Sequence, residues 1–241
     1  MGNNPVNGAL YFLRGFALIL RPGIRAYVVV PLLINIAVFS ALIYFGAGQL
    51  QSFLDSMLPE WLDWLKWVLL PLFLIAGLLI AFFTFNMVAN LIAAPFNGLL
   101  AEAVERTLTG QGPQEGGLKK MLADIGRTFA SELRKLVYIG IRAVPILLLM
   151  LVPGINVAAS VLWILFSAWM LAVAYADYPM GNHGIGFPEQ RTVLARRRWL
   201  SVGFGGSVMF GLTVPLLNFL VIPSAVAGAT AMWVDQLRDA R

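Results

Sequence analysis

The chain contains no cysteine and a single histidine, His183. The first absence excludes disulfides, iron–sulfur clusters and thiolate metal sites. The second excludes a multi-histidine metal centre. Charge is scarce as well: charged residues make up 12% of the chain, against about 25% in ordinary globular domains. There is no Gly-x-x-x-x-Gly-Lys phosphate loop, so nucleotide hydrolysis by that route is excluded. Gly205-Gly206-Ser207 lacks the second glycine of a nucleophile elbow, with Met209 in its place. The sequence therefore predicts no catalytic residue, no metal site, no cofactor and no enzyme. Nor is a cleavable signal peptide visible. The first long apolar run begins near Tyr27, and no short apolar region with a small-residue cleavage site precedes it.

What fills the space is apolar: hydrophobic residues reach 59% of 241. Residues 67–101 carry no charged side chain over 35 positions. A membrane-crossing helix needs about 20 apolar residues, and buried helices of soluble proteins rarely hold more than about 14. The run is too long for either a soluble core or one straight crossing. It also contains Asn86, Asn90, Pro95 and Asn97. Such groups are tolerated at membrane depth where the backbone lines protein or a water-filled cavity. The chain reads as an all-α, multi-pass integral membrane protein, a single membrane domain over 1–241.

Along the chain, Val6, Ala9, Leu10, Leu13, Phe16, Ala17 and Leu20 recur at helical spacing, predicting an interfacial helix over 5–20. Full spans are predicted over 27–49 and 67–87. Between them, Trp61, Trp64 and Trp67 suit an interfacial aromatic belt. A charged, helical segment over 102–142 is broken at Gly110-Gln111-Gly112-Pro113. Two further apolar runs follow, 143–176 interrupted at Pro153-Gly154, and 202–234 split by Pro215, Asn218 and Pro223.

The cations set the topology. Of 17 Lys and Arg, only Lys66 lies in the 50–66 connection, and the other 16 sit in the N-terminal arm, 102–142, 177–201 and the C-terminus. The positive-inside tendency places those four segments on one side, the cytoplasmic one. The net charge of +5 then reflects the membrane face rather than nucleic acid, because no aromatic-basic binding surface accompanies it. An even number of crossings must separate the four segments. From Arg142 to Pro153 there are only about ten uncharged residues, roughly 15 Å of helix, against a hydrocarbon core of about 30 Å. The runs 143–176 and 202–234 are therefore expected as hemi-penetrating hairpins, with two full-length hairpins carrying proline kinks as the alternative. Broken half-helices facing mid-membrane are a common way of building an ion site.

Pro22-Gly23-Ile24-Arg25 is the sharpest local motif. Proline suits a helix start and glycine allows close backbone approach. Exposed amides at such a start attract anions, and Arg25 adds a fork of donors for a tetrahedral oxyanion. Arg25 reads equally as a cationic anchor at the mouth of the first span. Glu102, Glu105 and Arg106 mark the end of the long apolar run. Glu102 and Arg106 stand four apart on one helix face, either lining a charge-compensated entrance or forming a solvated intrahelical pair. Arg196-Arg197-Arg198 suits lipid headgroups. His183 lies in a glycine-rich loop and reads as an ordinary loop residue. Ala89 and Ala93, Ser224 and Gly228, and Ala225 and Ala229 form small-xxx-small pairs that let helices approach closely.

Several of these segments resemble one known family. Pro22-Gly23-Ile24-Arg25-Ala26-Tyr27 with Pro31-Leu32-Leu33 and Asn35 is similar to the start of the CysZ sulfate permease family. The likeness continues at Ala89-Asn90, Ala93-Ala94-Pro95-Phe96, Leu100-Ala101-Glu102 and Val104-Glu105. It returns at Asp177-Tyr178-Pro179, Asn182, Gly186-Phe187, Gly203-Phe204-Gly205, Pro215, Asn218, Pro223 and Ala225–Thr230. The resemblance implies a bacterial inner-membrane protein taking up sulfate, or sulfite, for cysteine biosynthesis. It implies two full spans with two partly penetrating helix pairs, assembled as a homo-oligomer among membrane lipids. The family's sulfate-binding turn falls on Gly23, Ile24 and Arg25, with Ala26 where some members carry a second arginine. Its pathway residues fall on Asn90, Glu102, Glu105 and Arg106. Two other readings fit the residues: an anion-binding membrane assembly or regulatory factor, and an interfacial lipid-modifying enzyme using Glu102 or Glu105.

Overall fold

The computed structural model describes residues 2–57, 72, 75, 96–111, 125–214 and 217–240. Apart from positions 72 and 75, the expected span 67–87 lies outside the described residues, as do Asn90, Pro95 and Pro215. Among the described residues every regular element is helical: α1 (Pro5–Ile19), α2 (Ala26–Met57), α3 (96–109), α4 (Ile125–Met150), α5 (Asn156–Asn182), α6 (Phe187–Arg196), α7 (Arg198–Leu212) and α8 (Asn218–Met232). The last continues as a π-helical turn, Trp233–Leu237, and a short 3₁₀ turn, Arg238–Ala240. The chain divides into two compact units, Met1–Ala26 with Asn97–Arg241, and Tyr27–Phe96.

Within Tyr27–Phe96 the described structure is essentially α2, one helix of 32 residues with Pro31 inside it. It runs past the expected end at 49 and would extend about 48 Å at 1.5 Å per residue.

In the other unit, α8 is the central element. Val221 and the whole stretch from Pro223 to Met232 are buried. Most of its length is enclosed by neighbouring helices. α1 packs on both α7 and α8, and α5 packs on α7 and α4. The crossings close at glycines. A Cβ on Gly15 would stand 1.9 Å from the Ser224 carbonyl oxygen, and one on Gly205 would stand 1.8 Å from that of Ala168. Gly228 lies against the Tyr11 backbone in the same way. The Ser224/Gly228 pair thus works within the chain, receiving α1. Polar ties finish the corner. Asn3 Oδ1 accepts from the Trp199 and Leu200 amides at 3.1 Å each, capping α7. Arg14 pairs with Asp235, and the Tyr11 hydroxyl donates to the same carboxylate at 3.2 Å. Burial, and then the Asp235 charge, push the Tyr11 phenol up to about 12.

α1 confirms the helix expected over 5–20, and its two faces separate. Gly8, Tyr11, Phe12, Gly15, Leu18 and Ile19 are buried against neighbours. Val6, Leu10, Leu13, Ala17 and Leu20, five of the seven residues in the row read as membrane-facing, are exposed on the other side.

The runs 143–176 and 202–234 each contain a helix–turn–helix. The first turns at 151–155, where Gly154 takes φ +88° as L side chains rarely can. Its helices are long because the charged segment ending at Arg142 continues without a break into the apolar run as α4. α5 has 27 residues and is long and apolar enough to cross a membrane, as is Asn218–Leu237 with 20. In the second run α7 ends at Leu212 and Asn218 opens α8, with Pro223 inside it. α7, at 15 residues, covers only about 22 Å, short of the roughly 30 Å hydrocarbon core.

Alanine at Gly15 or Gly205 should cost about 1–3 kcal/mol through overpacking. Gly140 has nothing within 4 Å of its Cβ position, so Gly140→Ala should leave stability unchanged or raise it by up to about 1 kcal/mol. Thermal unfolding of the three variants in detergent checks the ranking.

Candidate functional site

The turn between α1 and α2 holds the predicted anion motif. Gly23 adopts φ +89°, which few residues other than glycine tolerate. Pro22, Gly23 and Arg25 are exposed, while the Ile24 side chain is 1% exposed and pins the turn. The Ile24 and Arg25 amides both donate to the Arg21 carbonyl at 3.1 Å. The Gly23 N–H has no acceptor among the described residues, and Arg25 has no ion-pair partner among them. The Ile24 amide, expected as a donor to an anion, is thus engaged inside the turn. The Gly23 amide and the Arg25 guanidinium are the groups left facing outward, immediately before the first turn of α2.

A second polar group lies among the packed helices. Glu105 on α3 is 2% exposed. A buried carboxylate requires a partner, and His183, just past α5, supplies one: its Nε2 lies 2.9 and 3.0 Å from the two Glu105 oxygens. The His183 ring stands 5.7 Å from that of Trp233. Nearby along α3 and α5, Asn97 Nδ2 donates to the Tyr178 hydroxyl at 3.3 Å, and Asn182 Nδ2 to the Gly98 carbonyl at 3.0 Å. Glu102 is partly buried and Arg106 exposed, and neither forms an ion pair among the described residues. The intrahelical Glu102–Arg106 pairing left open by the spacing is therefore absent among them. The Trp233 Nε1 and Ser224 Oγ atoms are buried without a partner among the described residues.

A third group ties α4 to α5 and α6. The Lys135 ammonium donates to Asp177 at 2.9 Å and to Glu132 at 2.7 Å. Gln190 Nε2 donates to Asp177 at 2.6 Å and to the Ile185 carbonyl at 2.8 Å. Burial acts to lower the Lys135 pKa, but the Asp177 charge and the hydrogen bonds to Glu132 and Asp177 outweigh it, and the pKa is raised. The stability this adds is present throughout neutral pH and lost only as pH climbs past the ordinary lysine value.

The pathway residues expected from sequence thus divide. Glu105 joins a buried cluster, Glu102 and Arg106 stand outside it, and Asn90 lies beyond the described residues. His183 is the participant that local sequence reading missed. Seventy-eight positions separate it from Glu105, and its glycine-rich surroundings signal a loop. One usable signal existed: Tyr178 and Asn182 stand four apart at the polar end of the otherwise apolar α5, marking a face turned toward polar neighbours.

Removing the imidazole with His183→Ala strands the Glu105 carboxylate and should cost about 1–3 kcal/mol. Adding Glu105→Gln to it should restore part of that loss, because the buried charge disappears. Unfolding of the two single variants and the double variant in detergent measures the coupling.

The family model described as "Sulfate transporter CysZ/Etoposide-induced protein 2.4" matches residues 11–223. The chain is 46% identical over 235 residues to the "Sulfate transporter CysZ" of Pseudomonas paraeruginosa, covering 96% of each. It is 45% identical to the protein of that name in Pseudomonas aeruginosa, with the same coverage. With that of Pseudomonas fluorescens it shares 44%, over 96% of this chain and 94% of the other. A likeness over nearly the whole length settles the lineage: the chain belongs to the CysZ sulfate transporter family.

Proposed function

We infer that this membrane protein carries sulfate inward across the bacterial inner membrane for cysteine biosynthesis, as a channel or permease without nucleotide hydrolysis of its own. Its relatives are named sulfate transporters. Within this chain the reading rests chiefly on the turn at Gly23. An outward-facing amide, the Arg25 guanidinium, without an ion pair among the described residues, and the start of a 32-residue helix follow one another there. Backbone donors and a cation at a helix N-terminus suit an oxyanion. Ile24 contributes the buried side chain that holds the turn in shape.

Beyond the turn, the route inward passes the buried Glu105 with His183 and the Glu102–Arg106 end of α3, and by its place in the sequence Asn90 is assigned to the same route. The hairpins support partial penetration. Their turns, 151–155 and 213–217, carry no charge, and Leu151, Phe210 and Phe219 near them are each at least 70% exposed. Such tips are poorly suited to water and well suited to lipid. The short α7 points the same way. The exposed row of α1 lies in the interface, and further exposed apolar surface meets lipid or a second copy of the chain. Inward movement of a dianion against about 100 mV costs roughly 4.6 kcal/mol. Uptake therefore requires either a very low internal sulfate concentration or a coupled ion.

Radiolabelled sulfate uptake into proteoliposomes tests the reading. Arg25→Ala should reduce uptake about tenfold, the equivalent of one charge-assisted hydrogen bond. Equal uptake by variant and wild type would remove the site. Sulfate binding by folded wild type with no uptake would favour an anion-binding assembly factor instead.

A further inference from the structure

Three arginines share one cleft between α4 and α6. Arg134 and Arg142 come from α4 and Arg191 from α6, around a cavity of about 290 Å³. Tyr138 forms its floor. The Arg142 guanidinium stacks 3.8 Å from the Tyr138 ring centroid, Arg191 lies 5.4 Å from it, and Phe187 meets its edge at 5.3 Å. No carboxylate lines the cleft, and among the described residues none of the three arginines has an ion pair. Glu132 on α4 and Asp177 on α5 both hold Lys135. Guanidinium groups gathered without a counter-charge repel one another unless an anion joins them.

The apolar part of the cleft says what kind of anion. Val137 and Ile141 line it beside the arginines. Both are exposed, and the row continues along α4 through exposed Val144 and Leu148. Arg142 is the last charged residue of α4, with eight uncharged residues following to Met150. A helix that passes from stacked guanidinium groups to bare aliphatic side chains within about 12 Å matches a headgroup and the acyl chains beneath it. A free oxyanion would use the cations and leave the aliphatic row and most of the volume unfilled. We propose that the cleft between α4 and α6, formed by Arg134, Tyr138, Arg142 and Arg191, is a binding site for an anionic phospholipid. The phosphate sits among the guanidinium groups, and the acyl chains lie along Val137, Ile141, Val144 and Leu148. Both segments belong to the cation-rich set placed on the cytoplasmic side, where the leaflet is rich in such lipids and basic pockets between helices bind their headgroups.

The full chain in detergent should be stabilised by dioctanoyl phosphatidylglycerol and not by dioctanoyl phosphatidylcholine, read as a thermal shift. In the R134Q/R142Q/R191Q variant the concentration needed for that shift should rise at least tenfold. Equal response to the two lipids, or an unchanged response in the variant, overturns the proposal. So does sodium sulfate giving the same stabilisation with the same loss in the variant, which would make the cleft a free-oxyanion site. A photoreactive phosphatidylglycerol in nanodiscs of the wild type keeps the test independent of the variant's folding. Adducts should map to the peptides containing Arg134–Arg142 and Phe187–Arg191, and adducts confined to other segments overturn the assignment.

Discussion

Helices crossing at bare backbone govern the packed unit of this protein. In lipid, association gains little from burying apolar surface, because the surroundings are equally apolar. Cohesion comes from close van der Waals contact and from the few polar groups that reach across. Gly15 against Ser224 and Gly205 against Ala168 bring main chains to distances at which no side chain fits. Those crossings leave α8 enclosed along most of its length. Its enclosure is in turn what brings Trp233 beside His183 and sets Asp235 below α1.

Around this dry framework the polar residues sort into three environments. The exposed turn at Gly23 keeps its cation and one amide outward-facing. In the Glu105–His183 pair a buried carboxylate, whose charge is expensive to leave unpaired, meets a histidine at the protein surface. The Lys135–Asp177–Gln190 group fastens α4 to α5 and α6. It stands apart from the arginine cleft on the same helix, since Lys135 takes two carboxylates and Arg134, Arg142 and Arg191 have none among the described residues. One helix thus shows a neutralised face to protein and a cationic face outward.

Much of the architecture was legible before any coordinates. The helix at 5–20, the break at Pro153-Gly154 and the turn at Gly23 come from local chemistry: apolar period, proline and glycine. Other expectations moved. Pro223, read as a breaker, lies in the second turn of α8, where the helix continues although the proline cannot donate to the Phe219 carbonyl. The charged 102–142 segment and the apolar run after it proved to share one helix, α4. Composition changes there while backbone preference does not. Ser224 and Gly228 were recognised as a close-approach pair, but their partner, α1, lies about two hundred residues earlier in the chain and leaves no local trace.

The sequence by itself determined the class of this protein, because too few charges and too many apolar residues leave no other solvent for such a surface. It also set a glycine turn beside an arginine, since Gly23 and Arg25 lie two positions apart. Only the tertiary structure decided which polar residues meet. Glu105 finds His183 rather than Arg106, and Arg191 joins Arg134 and Arg142. Such pairings depend on the angle and depth at which whole helices cross, set by backbone contacts at small residues distributed over the chain, and no local window contains that information.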